Sequence, residues 1–343
     1  MNGRFSGVDG IRGLACLIVL LTHVPGFFFP QKAAYFAGTG KYGVWLFFVL
    51  SAFLLTTKFA KTGFSTSVLA GYALGRFLRI IPLFVVVCAI YWVFGAAGIK
   101  SYGDFFSAIT LQQGYAHLWT IPVEFKFYLL LPFFAFSFIY VSGKFGMVAA
   151  SLLALVEIVI HQAVWPYWAT PENSIATRWY IPSFIFGCYA AVSIDSIRER
   201  ITSRSASIVA GVVILSLFCL SPGGRNLLAG MPLDRWLMDK YIFLSFLWMF
   251  FILVLADGKG MAGRIMKNVV LRRLGAWSYS IYLIHWFFYQ GLASVQLGGL
   301  FAIGAFVGAI VAGAALFTFI ESPIERFRHS LQLKLSPKQP VTA

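Results

Sequence analysis

The chain has 343 residues, of which 59% are hydrophobic and 11% are charged, and its mean hydropathy is +0.81. Soluble domains carry about 25% charged residues, so this composition excludes an ordinary soluble enzyme, a disordered chain and a secreted disulfide scaffold. A net charge of +15 is found in nucleic-acid binders and in membrane proteins with basic loops. The apolar composition favours the second class and predicts no nucleic-acid partner. All four cysteines lie in apolar stretches, which predicts neither a disulfide framework nor a Cys-ligated metal site.

Apolar stretches long enough to cross a bilayer as helices recur along the whole chain. The predicted spans are 12–30, 42–59, 79–98, 122–141, 145–164, 179–195, 206–222, 240–256, 275–296 and 299–320. The predicted fold class is therefore all-α, a polytopic membrane helix bundle with about ten transmembrane helices. Residues 1–330 are expected to form a single membrane-embedded domain, and 331–343 a short, disordered cytoplasmic tail.

The basic residues outside these spans predict the orientation of the chain. An even number of spans places both termini on one side of the membrane. If that side is the cytoplasm, its segments hold 18 Lys and Arg residues, against seven on the opposite side. Because basic loops are retained in the cytoplasm, both termini are predicted to be cytoplasmic.

The first span carries two ionisable residues, Arg12 and His23. Eleven helical residues turn through about 20° beyond three full turns, so both side chains face the same way, roughly 16 Å apart along the axis. Ionisable groups at bilayer depth cost a few kcal/mol and usually face a cavity or a partner. This pair could act on two ends of one long substrate. Alternatively, Arg12 is a basic anchor and His23 bonds a neighbouring helix.

The second and third spans add polar groups at two depths. Ser51 lies roughly 14 Å into the second span and is expected near the bilayer centre. Arg76 and Arg79 are spaced i, i+3 just before Ile80 and can converge on one phosphate. Interfacial arginines that bind lipid headgroups are the alternative interpretation.

The fourth span opens with H-L-W-T-I-P-V-E-F-K-F-Y, which contains His117, Trp119, Glu124 and Tyr128. Glu124 is expected in the outer half of the membrane, near the depth of the first-span imidazole. Alternatively, it is an interfacial carboxylate that pairs with Lys126 or remains in water.

On the ninth span, Ser278, Tyr282 and His285 share one face by their i, i+4, i+7 spacing. They could line a site or could hydrogen-bond neighbouring helices. Glu157 and His161 on the fifth span form an i, i+4 pair that is interpreted as structural, with acceptor binding as the alternative. The sequence has no P-loop, G-x-S-x-G elbow, H-E-x-x-H motif or zinc-type Cys/His set, and no metal is predicted.

Together these motifs resemble acyltransferase family 3, the integral-membrane acyl- and acetyltransferases that modify bacterial envelope glycans. The similarity runs from Val8 to Pro323 and rests on five motifs in order. They are R-x10-H at Arg12 and His23, F-F-V-L-S-A-F at 47–53, R-x-x-R at Arg76 and Arg79, W-x4-E-x3-Y from Trp119 to Tyr128, and S-Y-S-I-Y-L-I-H from Ser278 to His285. The sequence departs from the usual family pattern at Ala52, where Gly is common, at 120–122 and at 125–126.

The resemblance implies a catalytic role for His23, a positioning role for Arg12 and donor binding by Arg76 and Arg79. Further site residues are assigned by their predicted depth. Glu124 is expected to orient the imidazole or bind the acceptor, and Ser51 or Tyr282 to stabilise the oxyanion. The predicted catalytic set is His23, Arg12 and Glu124; the donor-binding set is Arg76, Arg79, Arg12, Ser51, Tyr282 and His285; the acceptor-binding set is Trp119, His117 and Tyr128.

The predicted reaction moves an acyl group from cytoplasmic acyl-CoA, by resemblance acetyl-CoA, to a hydroxyl of a saccharide or lipid-linked glycan. No tightly bound cofactor is predicted, and membrane lipids are the other partners. The acceptor could belong to O-antigen, an exopolysaccharide or peptidoglycan, and the location would be the bacterial inner membrane. His23 acts as a general base or as an acyl acceptor. Alternatives are a transporter or flippase with a buried His/Glu proton path, and a sensor without chemistry.

Overall fold

The structure, a computed structural model, describes residues 5–295 and 298–335, with side chains up to 331. Its described part contains helices and no strand. The helices are α1 (Val8–Phe28), α2 (Pro30–Ala33), α3 (Gly40–Thr62), α4 (Thr66–Phe94), α5 (Tyr102–Ile109), α6 (Thr120–Val164), α7 (Ile181–Ile197), α8 (Ser203–Leu220), α9 (Pro222–Ala229), α10 (Tyr241–Leu255), α11 (Gly260–Met266), α12 (Val269–Val295), α13 (Gly299–Leu316) and α14 (Ser322–Leu335). A π-helical turn, Phe317–Glu321, joins α13 to α14.

Seven helical stretches in the described residues are long and apolar enough to cross a bilayer, and the bent pair α10–α11 makes eight. Large apolar side chains on these helices point outward: Phe133, Val148 and Leu300 are 73%, 76% and 80% exposed. Polar side chains such as Ser278 and His285 are instead buried inside. This inverted distribution is that of a bundle whose surroundings are lipid, and the chain is a multi-pass membrane protein.

The ten predicted spans all coincide with helices, with three differences. The fourth and fifth spans form one element, α6, which is broken where Gly146 adopts φ +81°. The ninth, α12, has the length of a span but is not among the seven apolar stretches, since it carries the buried polar face. The third, α4, begins at Thr66 rather than near 79, so Arg76 and Arg79 lie inside the helix.

The helix α14 continues to Leu335, into the predicted tail, and residues 336–343 lie outside the described part of the chain. Its first turn follows directly on the π-helical turn that carries Glu321. This arrangement brings the end of the domain back against α4.

The centre of the bundle is formed by α1 with its neighbours α12 and α3. The backbones of α1 and α12 touch at small residues: a Cβ on Gly275 would lie 1.7 Å from the carbonyl oxygen of Asp9. A similar contact joins α3 to α7, where Gly187 leaves space for Ala52. The alanine that departs from the family pattern is thus accommodated by a glycine on the facing helix. Close contact between α1 and α12 directs the polar faces of both helices toward each other.

Candidate active site

Two cavities enter the bundle near opposite ends of α1. The first, which we call the arginine cavity, has a volume of about 580 Å³ and includes Asp9 and Arg12 in its wall. The second, the histidine cavity, has a volume of about 440 Å³ and includes Thr22 and His23. Since Arg12 and His23 are roughly 16 Å apart along the helix, the cavities approach each other along one helix face.

Two side chains, Tyr282 of α12 and Val44 of α3, line both cavities. The Tyr282 hydroxyl donates to the backbone oxygen of His117 at 2.6 Å. Its oxygen also lies 2.8 Å from the Thr120 hydroxyl. Because the tyrosine proton is used toward His117, the threonine is the donor in this second bond. Tyr282 is therefore held in place at the junction of the two cavities.

The imidazole of His23 is oriented by its own helix. Nδ1 lies 2.8 Å from the carbonyl oxygen of Val19, which can only accept, so Nδ1 carries the proton. The lone pair is then on Nε2. Gly40 of α3 faces this edge of the ring, and a Cβ added there would lie 3.3 Å from Nε2. The glycine thus leaves room beside the basic nitrogen, in the wall of the histidine cavity.

Two further histidines surround this imidazole. The ring centroid of His285 lies 5.3 Å from that of His23 and 4.6 Å from that of His117. Each of these two rings donates to a backbone oxygen, His117 Nε2 to Leu283 at 3.1 Å and His285 Nδ1 to Tyr282 at 2.6 Å. Their other nitrogens are buried without a partner. No group of three or more His, Cys, Asp or Glu in the described residues is arranged to hold a metal ion.

The position of Glu124 differs from the one predicted for it. Its Oε1 accepts from the Ser51 hydroxyl at 2.5 Å and from the Tyr128 hydroxyl. It lines the arginine cavity and makes no hydrogen bond to His23 and no ion pair with Lys126 among the described side chains. Glu124 does not contact the imidazole in this structure, because the start of α6 turns its carboxylate toward α3 instead; the alternative, that it binds the acceptor, stays a prediction.

Arg76 and Arg79 do not share one environment. Arg79 is ion-paired with Glu321, and its Nη1 lies 3.3 Å from Glu325 Oε1. Arg76 instead lies over the ring of Tyr128, 5.6 Å from its centroid. Both line the arginine cavity. Of the two, Arg76 is the one that has no carboxylate partner in the described part of the chain.

The remaining predicted site residues divide between the two cavities. Arg12 and Ser51 line the arginine cavity, and Arg12 Nη2 is 3.4 Å from the Ser278 hydroxyl. Trp119 and His117 line the histidine cavity. Tyr128 lies in the arginine cavity rather than with the predicted acceptor residues, since it is one helical turn below Glu124.

His285, predicted to bind the donor, is fully buried and lines neither cavity. Glu157 and His161 are in the second arm of α6, beyond Gly146, and also line neither.

Sequence reasoning missed several residues in the cavity walls. In the histidine cavity these are Gly40 and Lys41, and the Lys41 ammonium lies 5.5 Å from the centre of the Trp119 ring. In the arginine cavity they are Lys58 and Arg328. The only sequence signal for the latter two is that each is a basic residue at the same predicted membrane face as Arg76.

Comparison with known proteins identifies the family of the chain. The family model of acyltransferase family 3, described as an acyltransferase domain, matches residues 5–320. The chain belongs to acyltransferase family 3. It is thus a multi-pass membrane acyltransferase, and its family favours an enzyme over the transporter considered above.

Individual relatives are distant. The chain is 22% identical to O-acetyltransferase OatA of Staphylococcus aureus (strain NCTC 8325) over 361 aligned residues, which cover 93% of this chain and 57% of the relative. It therefore spans little more than half the length of that protein. It is also 35% identical to Protein 2 in picA locus of Rhizobium radiobacter over 88 residues, or 25% of this chain and 44% of the relative. No solved structure matches the chain.

Proposed function

We propose that this acyltransferase is an O-acetyltransferase that moves an acetyl group from acetyl-CoA to a hydroxyl of a cell-envelope saccharide. The observation that carries the proposal is the meeting of two cavities at Tyr282, one lined by cations and the other by His23. A donor and an acceptor from opposite sides of the membrane require such an arrangement. The family and the printed name of the S. aureus relative support transfer of acetyl to oxygen.

The arginine cavity is the donor site in this proposal. Its cations suit the phosphates of acyl-CoA, and its length toward Tyr282 suits the pantetheine arm. The positive-inside distribution of Lys and Arg supports a cytoplasmic position for this end of α1. The proposed location is accordingly the bacterial inner membrane, with coenzyme A binding from the cytoplasm.

The histidine cavity is the acceptor site. Its wall contains the aromatic side chains Phe27, Phe36, Trp119 and Trp286 together with polar groups such as Asn173. Aromatic faces combined with a few polar groups suit a sugar ring, which is apolar on its faces and polar at its rim. An O-antigen, an exopolysaccharide or a lipid-linked glycan could supply that ring.

His23 provides the base. Nε2 takes the proton from the acceptor hydroxyl as its oxygen forms a bond to the thioester carbonyl carbon. The tetrahedral intermediate collapses when the carbon–sulfur bond breaks, and the thiolate of coenzyme A receives the proton from His23. At the junction, the Thr120 hydroxyl is the proposed donor to the oxyanion: it bonds the Tyr282 oxygen in this structure and has to turn from it, while the Tyr282 proton stays on the His117 carbonyl. In a second route, Nε2 attacks the thioester first, and the carbon–sulfur bond breaks to release the thiolate and leave an acyl-histidine; the acceptor oxygen then takes the acyl group from Nε2, and its proton goes to the thiolate.

The test compares His23→Ala with His329→Ala, in which the replaced histidine is exposed on α14 and lines neither cavity. Purified proteins in lipid nanodiscs receive acetyl-CoA and a saccharide acceptor, and mass spectrometry follows the acetyl mass on the acceptor. We expect His23→Ala to remain folded and lose transfer, and His329→Ala to behave as wild type. Normal transfer by His23→Ala would remove the imidazole from the chemistry. Movement of an unmodified substrate across the membrane without acetylation would instead support a carrier.

A further inference from the structure

Three cations from three separate helices meet in the wall of the arginine cavity. Lys58 comes from the last turns of α3, Arg76 from α4 and Arg328 from α14. We call them the basic triad. The charges of Arg76 and Arg328 are close enough to repel that of Lys58, and Arg328 is likewise repelled by Arg76. Three like charges brought together without a ligand raise the energy of the folded protein.

Carboxylates in the neighbourhood neutralise the triad only in part, because Glu325 alone among the described residues pairs with one of its members, Arg328. Glu321 pairs with Arg79 and accepts from the Ser280 hydroxyl at 2.5 Å. Glu325 is shared between Arg79 and Arg328. Glu124 is bonded by two hydroxyls, as described above.

The charges and hydrogen-bond donors of the triad are therefore not all satisfied by neighbouring groups. Neither Lys58 nor Arg76 forms an ion pair with a described residue. The Nε of Arg328 is buried and has no hydrogen-bond partner. A buried N–H of a guanidinium without an acceptor is costly, and an anionic oxygen is the acceptor that satisfies it best.

We propose that the basic triad is a phosphate-binding subsite for the nucleotide end of the acyl donor, and that Arg79 is not part of it. This inference rests on the proposed function, because it assumes a coenzyme A thioester as donor. Arg76 and Arg328 supply planar guanidinium groups that suit phosphate oxygens, and Lys58 supplies a point charge at the cavity mouth. Arg79, although in the same motif as Arg76, already has its charge balanced by two glutamates.

The position of the triad favours the donor over a lipid headgroup as the source of phosphate. All three side chains line the cavity whose other end is Tyr282, where the thioester would react. A phosphate bound at the triad would anchor a long molecule whose far end extends along the cavity. A lipid headgroup at the same place would block this route.

The test measures equilibrium binding in nanodiscs of coenzyme A, which carries phosphates, and of pantetheine, which carries none. The variants are Lys58→Gln, Arg76→Gln and Arg328→Gln. The controls are Lys61→Gln and Arg326→Gln, which replace exposed cations on the same two helices outside the cavity. We expect each triad variant to weaken coenzyme A binding about ten- to a hundredfold, as loss of one charge-assisted hydrogen bond does. Pantetheine binding and both controls should be unchanged.

Unchanged coenzyme A affinity in the triad variants would overturn the inference, and so would an equal loss for pantetheine, which would indicate a distorted cavity. Discs of phosphatidylcholine and of phosphatidylglycerol distinguish the source of phosphate. The loss of coenzyme A affinity in the triad variants should appear in both kinds of disc. A loss confined to discs of phosphatidylglycerol would assign the triad to lipid.

The two proposals fail in different ways. If the triad variants lose coenzyme A affinity while the wild-type protein transfers no acetyl group, the subsite stands and the proposed reaction fails. If wild-type protein transfers acetyl and the triad variants bind coenzyme A normally, the subsite alone fails. A wild-type protein that binds no coenzyme A overturns both.

Discussion

The ion pair between Arg79 and Glu321 offers a sharp test of how the end of the domain is held. It joins residues 242 positions apart, and Glu321 is only 3% exposed. The perturbations are Arg79→Gln, Glu321→Gln and the double variant. Each glutamine removes one charge and keeps a side chain of hydrogen-bonding character.

The structure predicts unequal effects for the two single variants. Arg79→Gln leaves the buried Glu321 carboxylate with only the Ser280 hydroxyl, and an uncompensated buried charge costs about 3–5 kcal/mol. Glu321→Gln leaves Arg79 with Glu325 at 3.3 Å, so the expected loss is smaller, on the order of 1–3 kcal/mol. In the double variant two amides face each other, and the loss should be no larger than that of Arg79→Gln alone, so it falls short of the sum of the single losses by at least the Glu321→Gln loss of about 1–3 kcal/mol.

The assay is unfolding of purified protein in detergent followed by tryptophan fluorescence, with Arg326→Gln as an exposed control. Because membrane proteins often unfold irreversibly, the apparent Tm values are compared as a ranking at one scan rate. The expected ranking is control, Glu321→Gln, then Arg79→Gln as the least stable, with the double variant no worse than Arg79→Gln. Additive losses, or an Arg79→Gln variant as stable as the control, would refute the interpretation.

Three further predictions concern separate features. A Cβ at Gly40 would lie 3.2–3.3 Å from the imidazole of His23, so Gly40→Ala should lower the transfer rate in a steady-state assay while leaving the apparent Tm within a few degrees of wild type. Tyr282→Phe removes the bond to His117 and the acceptor for Thr120, and should lower kcat more than it changes the KM for acetyl-CoA. Hydrogen bonds from the Ser101 side chain and from the backbone of residues 100 and 101 lower the pKa of Asp104, outside the spans, from 3.8 to about 2. A lowered folded-state pKa gives stability that is present above about pH 4 and lost as the pH falls toward 2, so proteolysis near α5 should increase over that range, and Ser101→Ala should move its onset to higher pH.

The features that the sequence predicted correctly are local ones. Helical spans follow from runs of about 20 apolar residues, because a backbone in lipid must satisfy its own hydrogen bonds. The shared face of Arg12 and His23 follows from helix periodicity alone, and both indeed face α12. The five motifs that carry the family resemblance are also contiguous or nearly so, and the family match confirms that resemblance.

The errors arise where a hydropathy window or a residue spacing cannot report on packing. The predicted third span began at the cation Arg79 and so missed the first turns of α4, because the helix carries Arg76 and Arg79 within it, in the wall of a cavity. His285 shares a face with Tyr282, but helix packing buries it completely while Tyr282 reaches both cavities.

Composition, periodicity and short motifs by themselves determined the class of protein, the course of its helices and the identity of most polar residues inside the membrane. The tertiary structure alone decided which of these residues meet. Arg79 is neutralised by glutamates more than 240 positions away, and Glu124 is bonded by a serine from α3. Such contacts depend on which helices pack together and in what rotation, and these are set by close backbone contacts such as that between Gly275 and Asp9. No pattern within one helix contains that information.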